Sequence, residues 1–114
     1  MKSFGKWLLL LLVLVGVGVI CYFYFKPTPV VIQESYTLAE VALHSTKEDC
    51  WTAIEGNVYD ITKFTGIHRG GEIILSACGT DATEKFNNRP GKGTAHSNIA
   101  RKLLSEMKVG ILKD

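Results

Sequence analysis

Two histidines 28 residues apart are the side chains in this sequence best suited to chemistry. The first, His68, sits in Phe64-Thr65-Gly66-Ile67-His68-Arg69-Gly70-Gly71. Gly70 and Gly71 remove side chains from the backbone just after the imidazole, so a flat, bulky group can approach closely. Phe64, four residues earlier, offers an aromatic wall. The second, His96, follows short amphipathic stretches and is itself followed by Ser97. Neutral imidazoles are good transition-metal ligands. Two of them on opposite sides of a flat iron macrocycle would use all of these features. On spacing alone the ordinary reading is two structural histidines, solvated or hydrogen-bonded in a core. His44, at a helix end before Ser45-Thr46, reads as structural or exposed.

The elements around these histidines follow from local signals. Thr37-Leu38-Ala39-Glu40 is a capping box, with a hydroxyl at the N-cap and a carboxylate three residues on, and predicts a short helix to about His44. Cys50–Ile54 and Val58–Ile61 read as strands joined by a turn at Glu55-Gly56-Asn57, a hairpin. Thr62 is placed to cap a short turn of helix carrying Phe64. Gly70-Gly71 opens a further helix, with Ile73, Ile74 and Ala77 on one face, and Gly79 stops it. Thr80 is a good N-cap for a helix from Asp81 to about Asn87, which puts Ala82 and Phe86 on one side. Asn87–Gly93 is a loop by composition. Ser97 can cap a last helix, in which Ile99, Leu103 and Met107 form a core stripe. Val109–Leu112 closes the chain as a strand. The layout is helix, hairpin, four short helices and strand, with a histidine at the mouth of each of two helix pairs.

Upstream of this domain the composition changes. Trp7 to Phe25 is 19 residues without a charge. As a helix it would span about 28 Å at about 1.5 Å per residue, close to a hydrocarbon core of about 30 Å. Residues 1–6 form a basic flank, 7–25 a transmembrane anchor, 26–33 a linker stiffened by Pro27 and Pro29, and 34–114 the folded domain. Tyr22, Phe23, Tyr24 and Phe25 suit an interfacial aromatic belt. The rival reading, a cleaved signal peptide, needs small residues before its cut. Cys21-Tyr22-Phe23-Tyr24-Phe25 offers none, and Ile20 is too large for lipoprotein processing at Cys21. Lys2 and Lys6 before the run, against Lys26 alone after it until Lys47, place the N-terminus in the cytoplasm and the domain outside it.

Charge and cysteines exclude other classes. From Glu34 onward the chain has ten basic and eleven acidic residues, a net charge of −1. No basic face is evident, so nucleic acid is not a partner. Three cysteines without a C-x-x-C pair argue against a zinc site or covalent haem attachment. A domain of 81 residues buries only about 60% of its chain surface. A large apolar cofactor that binds only the folded state would stabilise it.

These residues resemble the cytochrome b5 haem-binding domain. The likeness is carried by Tyr36-Thr37-Leu38 with Glu40-Val41, Asp49-Cys50-Trp51, Val58-Tyr59-Asp60-Ile61-Thr62, Phe64, and His68-x-Gly70-Gly71-Glu72. It continues through Gly79-x-Asp81-Ala82-Thr83-x-x-Phe86 and His96-Ser97, and covers Glu34 to Leu112. The resemblance implies a small α+β domain, with two short helix pairs flanking a haem and a small mixed sheet. It implies a non-covalent b-type haem with His68 and His96 as axial ligands to iron. Phe64, Ile74, Ala82, Phe86 and Leu103 match pocket-lining positions, as Gly70 and Gly71 match the glycines after the ligand. Ser97 matches a residue that hydrogen-bonds a haem propionate, and Trp51 and Tyr59 match the core beyond the pocket. The function implied is that of a membrane-anchored electron carrier, not an enzyme, passing single electrons between a redox-protein donor and acceptor as a monomer. The alternative is a non-redox haem or small-ligand binding module of the same fold.

The sequence departs from the family twice. Arg69 stands where proline usually follows the first ligand, which loosens the turn and brings a cation near the haem edge, favouring the reduced iron. The loop before His96 is longer and carries Arg89 and Lys92, whereas the familiar microsomal members are acidic around the haem edge. With its N-terminal anchor, the chain looks more like a bacterial, extracytoplasmic relative. There, Cys50 and Cys78 could form a disulfide between the hairpin and the helix after His68; two buried free thiols are the alternative.

Overall fold

The computed structural model describes residues 3–114. Of the basic flank, Met1 and Lys2 lie outside the described residues. The chain divides into two units, Met1–Val31 and Ile32–Asp114.

The first unit is the helix α1, Phe4–Tyr24, which starts three residues earlier than the apolar run. Apolar side chains cover it all round and none is buried. It is long and apolar enough to cross a membrane. After its end, the Lys26 ammonium lies over the rings of Tyr22 and Phe23, 5.4 and 5.1 Å from their centroids.

The second unit is an α+β domain with one mixed sheet. Its strands are β1 (Ser35–Tyr36), β2 (Ser45–Thr46), β3 (Asp49–Ile54), β4 (Asn57–Asp60), β5 (Thr80–Asp81) and β6 (Lys108–Leu112). The order is β1-β6-β4-β3-β2, with β5 added to β3. β1 runs parallel to β6 and β5 parallel to β3; the other pairs are antiparallel. The hairpin β3–β4 turns at Glu55 and Gly56, with φ of 50° and 75°. Two successive positive φ values match the twist that a two-residue hairpin needs. The two-residue strands β1, β2 and β5 carry no sequence signal; β1 and β5 are strands only through long-range pairing with β6 and β3, and β2 through a tight turn that folds it back on the start of β3.

The helices are short. α2 spans only Leu38–Val41, shorter than the helix to about His44 that the sequence predicts, because it is capped at Ala42 and the chain turns there. The capping box is formed in both directions, with Glu40 N–H donating to Thr37 Oγ1 and Thr37 N–H to Glu40 Oε2. 3₁₀ helices cover Thr62–Phe64 and Gly71–Ala77. Thr62 does not cap the first: its Oγ1 accepts from Cys50 N–H at 2.9 Å, joining that turn to β3. α3 is Thr83–Asn87 and α4 is Asn98–Ser105. The residue that anchors the start of α3 is Asp81, whose Oδ1 accepts from Thr83 N–H at 2.9 Å, and not Thr80, which pairs with β3 instead. Ser97 caps α4, accepting from Ala100 N–H at 3.2 Å.

The core holds Cys50, Ile54, Tyr59, Ile61, Cys78, Ala82, Phe86 and Leu104, drawn from the sheet and from the helices packed on it. Burial raises the pKa of the Tyr59 phenol, so the ring enters the core neutral. Cys50 on β3 and Cys78, just after the second 3₁₀ helix, form a disulfide with Cα atoms 4.7 Å apart. Trp51, partly buried, packs against Tyr36 and stacks on His44 at 4.0 Å. The His44 Nδ1 meets Asp49 at 2.8 Å, so this third histidine is a structural one.

Candidate functional site

The four short helices enclose a cleft of about 890 Å³ above the sheet, inside the range of about 300–1,000 Å³ usual for ligand sites. One wall is the segment from Phe64 through the 3₁₀ helix Gly71–Ala77; the other is α3, the loop after it and α4. Thr52, Ile54 and Ile61 form its floor. His68 and His96 project from opposite walls. Their ring centroids are 6.4 Å apart and their planes are tilted by 36°.

Each imidazole is held from behind by a backbone carbonyl. His68 Nδ1 meets Gly71 O at 3.2 Å, and His96 Nδ1 meets Phe86 O at 2.8 Å. A carbonyl oxygen only accepts, so each Nδ1 carries the hydrogen and each Nε2 keeps its lone pair. Such second partners are what fix ring orientation and tautomer in metal-ligating histidines.

Different packing supports the two rings. Phe64 meets His68 edge-on at 5.7 Å. Phe86 stacks on His96 at 4.5 Å with an interplanar angle of 2°, and the Arg101 guanidinium lies 5.1 Å from the centroid of Phe86. Arg101 in turn donates to Asn87 Oδ1 at 2.7 Å and to Glu55 Oε2 at 3.2 Å, and Asn87 donates to Glu55 Oε1 at 2.9 Å. The Asn87 amide, with Arg101 beside it, holds the Glu55 carboxyl below the usual glutamate pKa. The hairpin turn is thereby tied to both helices that flank His96.

The two glycines serve for two reasons. A Cβ on Gly70 would stand 2.7 Å from His68 Cε1, so the imidazole occupies the space a side chain would take. Gly71 has open space around it but a φ of +73°, which favours glycine.

Of the residues singled out in the sequence, Phe64, His68, Gly70, Ile74, Ala82, Phe86, His96, Ser97 and Leu103 line the cleft. Gly71 does not; it shapes the turn behind His68. The expected core stripe of α4 is corrected. Ile99 is 82% exposed and Leu103 40%, and both line the cleft; Met107, beyond the end of α4, packs against the core as expected, and Leu104 is the buried residue of the helix. Sequence reasoning missed Ile54, Ala100, Leu104 and the Glu55–Asn87–Arg101 tie. The tie joins positions 32 and 46 residues apart, and no local pattern announces it.

Residues 37–113 match the family described as Cytochrome b5-like Heme/Steroid binding domain. The chain belongs to the cytochrome b5 family. It is 49% identical over 76 residues to a cytochrome b5 of Nicotiana tabacum, an alignment covering 66% of this chain and 52% of that one. It is 41% identical over 80 residues to a cytochrome b5 of Drosophila melanogaster, covering 69% and 56%. The chain thus spans about half the length of the curated relatives it matches. Among solved structures it is similar to Ectothiorhodospira vacuolata cytochrome b558, described as a prokaryotic homologue of cytochrome b5. The TM-score is 0.67 at 37% identity, covering 70% of this chain and 99% of that one. A cytochrome b5 of Ostreococcus tauri virus 2 aligns with TM-score 0.58 at 38% identity, over 68% and 83%. The family match, residues 37–113, lies within the second unit, the unit that contains the cleft.

Proposed function

We propose that this protein is a membrane-anchored b-type cytochrome that passes single electrons between redox proteins, with His68 and His96 as the axial ligands of a non-covalent haem. The observation that carries the reading is the pair of facing imidazoles. A metal–imidazole bond is about 2 Å, and the ring centre lies about 1 Å behind its nitrogen. Two imidazoles in line through one metal therefore have centroids about 6 Å apart, against the 6.4 Å found. Among the described residues no group of three or more His, Cys, Asp or Glu is placed to hold a metal ion. A metal between these rings would take its other ligands from a cofactor, and a porphyrin brings four coplanar nitrogens. The apolar walls suit its faces.

A bound haem supplies an iron that gains and returns one electron. The chain's own residues decide what else happens there. His68 and His96 would hold the iron from opposite walls of the cleft, which would leave no site there for oxygen or substrate. Phe64, Ile74, Phe86 and Leu103 would shield a bound macrocycle from water. Ser97 Oγ, which accepts from Ala100 N–H, keeps its own hydrogen to donate to a propionate. No proton donor or nucleophile is needed, which supports a carrier and not an enzyme. The steroid-binding side of the family description fits less well, because two nitrogen lone pairs in the cleft have no use in holding a steroid.

Anchoring by residues 7–25 rests on the apolar helix and on the Lys26 contact at its end. The Cys50–Cys78 disulfide supports a haem domain outside the cytoplasm, since such bonds persist in oxidising compartments. Two measurements test the proposal. Potentiometric titration of the haem-loaded full chain is expected to be reversible with one electron; a two-electron or irreversible curve contradicts the carrier role. Alkaline phosphatase fused after Asp114 is expected to be active in a bacterial host; an inactive fusion puts the domain in the cytoplasm.

A further inference from the structure

The rim of the cleft has a charge that the haem reading does not absorb. Four cationic side chains line it: Arg69 on the His68 wall, and Lys85, Arg89 and Lys92 on the His96 wall. No acidic side chain lines it. The nearest acidic residues on the same elements are engaged elsewhere, Glu72 with Lys47 at 3.8 Å and Glu84 with Asn88 at 3.4 Å. The second groove of this domain differs in composition, being lined by Glu48, Asp49, Asp60 and Glu106 together with Lys63 and Lys108. A domain of net charge −1 thus carries four of its ten basic side chains, and no acidic one, at one mouth.

Two of the four cations are bound locally. The Lys85 ammonium donates to Ser76 O at 2.6 Å, bridging the two walls, and the Arg89 guanidinium donates to Thr94 O and Oγ1 within its own loop. The side chains of Arg69 and Lys92 are exposed and make no hydrogen bond or ion pair among the described residues. They stand on opposite walls. Two propionates of a bound haem would neutralise at most two of the four cations, so the rim stays positive.

We propose that this rim is the docking surface for an acidic redox protein, one whose carboxylates surround its own electron-transfer site. Complementary charge at the point where electrons leave steers encounter and fixes orientation without tight binding, as a transient carrier requires. The inference rests on the haem-carrier reading above.

The test uses the haem-loaded, reduced full chain in neutral detergent, with stopped-flow oxidation by two protein probes. One is plastocyanin, an acidic copper protein, and the other is basic mitochondrial cytochrome c. The rate with plastocyanin is expected to fall at least tenfold between low salt and roughly 0.3 M salt, as steered association does. The rate with cytochrome c is expected to stay flat or rise. Arg69→Glu with Lys92→Glu is expected to reverse the order of the two probes. Small oxidants give the same reading without any variant: anionic ferricyanide slows with added salt and cationic tris(phenanthroline)cobalt(III) does not. A haem-loaded chain that prefers cytochrome c, or whose rates ignore salt, overturns the rim alone; a chain that takes up no haem overturns both readings. Salt dependence kept in phosphatidylcholine nanodiscs but lost in phosphatidylglycerol ones would assign the rim to anionic lipid headgroups and overturn the protein partner.

Discussion

His96 is held more elaborately than His68, and the difference can be measured. Its ring lies flat on Phe86, its Nδ1 hydrogen goes to the Phe86 carbonyl, and the Arg101 guanidinium lies over the Phe86 ring. Replacing Arg101 by Met removes a cation–π contact of about 0.5–1 kcal/mol and charged hydrogen bonds of about 1.5–3 kcal/mol, both reduced by partial exposure. We expect haem transfer to apomyoglobin to quicken roughly tenfold, with altered g values in the low-spin ferric spectrum. Unchanged g values would mean that Arg101 only stabilises the fold. The adjacent glycines separate in the same way. Gly70→Ala pushes on the His68 ring and should weaken haem binding. Gly71→Ala forces a left-handed residue costing about 1–2 kcal/mol, read as a lower urea midpoint of the apo domain. Equal effects of both on haem affinity would contradict these separate roles. The two histidines, the glycines and the cleft-facing aromatics were legible in the sequence through the order of the family motifs they belong to; spacing alone suits structural histidines as well. Glu55, Asn87 and Arg101 were not, because each alone is an ordinary surface residue and only the fold brings them together.

Among the elements, hairpin, capping box and final strand follow from local chemistry and were readable. The errors are where long-range pairing overrode a local signal. Thr80 has the hydroxyl of an N-cap, yet it is drawn into β5 against Thr52, leaving Asp81 to anchor α3. α4 has a helical apolar stripe, but the face that carries Ile99 and Leu103 opens on the cleft, so periodicity predicts core where the structure has a cleft wall. The disulfide joins β3 to the end of the His68 wall across 28 residues. Closing a loop of that length contributes about 3–4 kcal/mol through the unfolded chain. Adding dithiothreitol should therefore lower the urea midpoint substantially and speed haem loss. An unshifted midpoint, with thiol alkylation showing reduction, would remove the brace from the account. Acid acts on other elements. Backbone and side-chain hydrogen bonds from Thr37 hold the Glu40 carboxyl low, and Asn87 with Arg101 does the same for Glu55. A depressed folded pKa stabilises above the unfolded value and is lost as pH falls through the folded one. Stability should therefore decline as pH drops below about 4 to 5, less steeply in Glu40→Gln; an equal slope would exclude the capping box as a source.

At the scale of the whole molecule, the apolar N-terminal segment and the domain fall into two compact units, divided between Val31 and Ile32. The domain is small, its sheet is built partly of two-residue strands, and it holds a cleft of about 890 Å³. Such a chain gains stability from whatever fills that cleft. The central claim is that the filler is a haem whose iron has no free position because His68 and His96 take both. The most direct test is the visible spectrum of the haem-loaded, dithionite-reduced chain before and after carbon monoxide. The account predicts sharp low-spin bands that carbon monoxide leaves unchanged. A spectrum that shifts to a carbon monoxide complex, or a chain that stays colourless in excess haem, would contradict it.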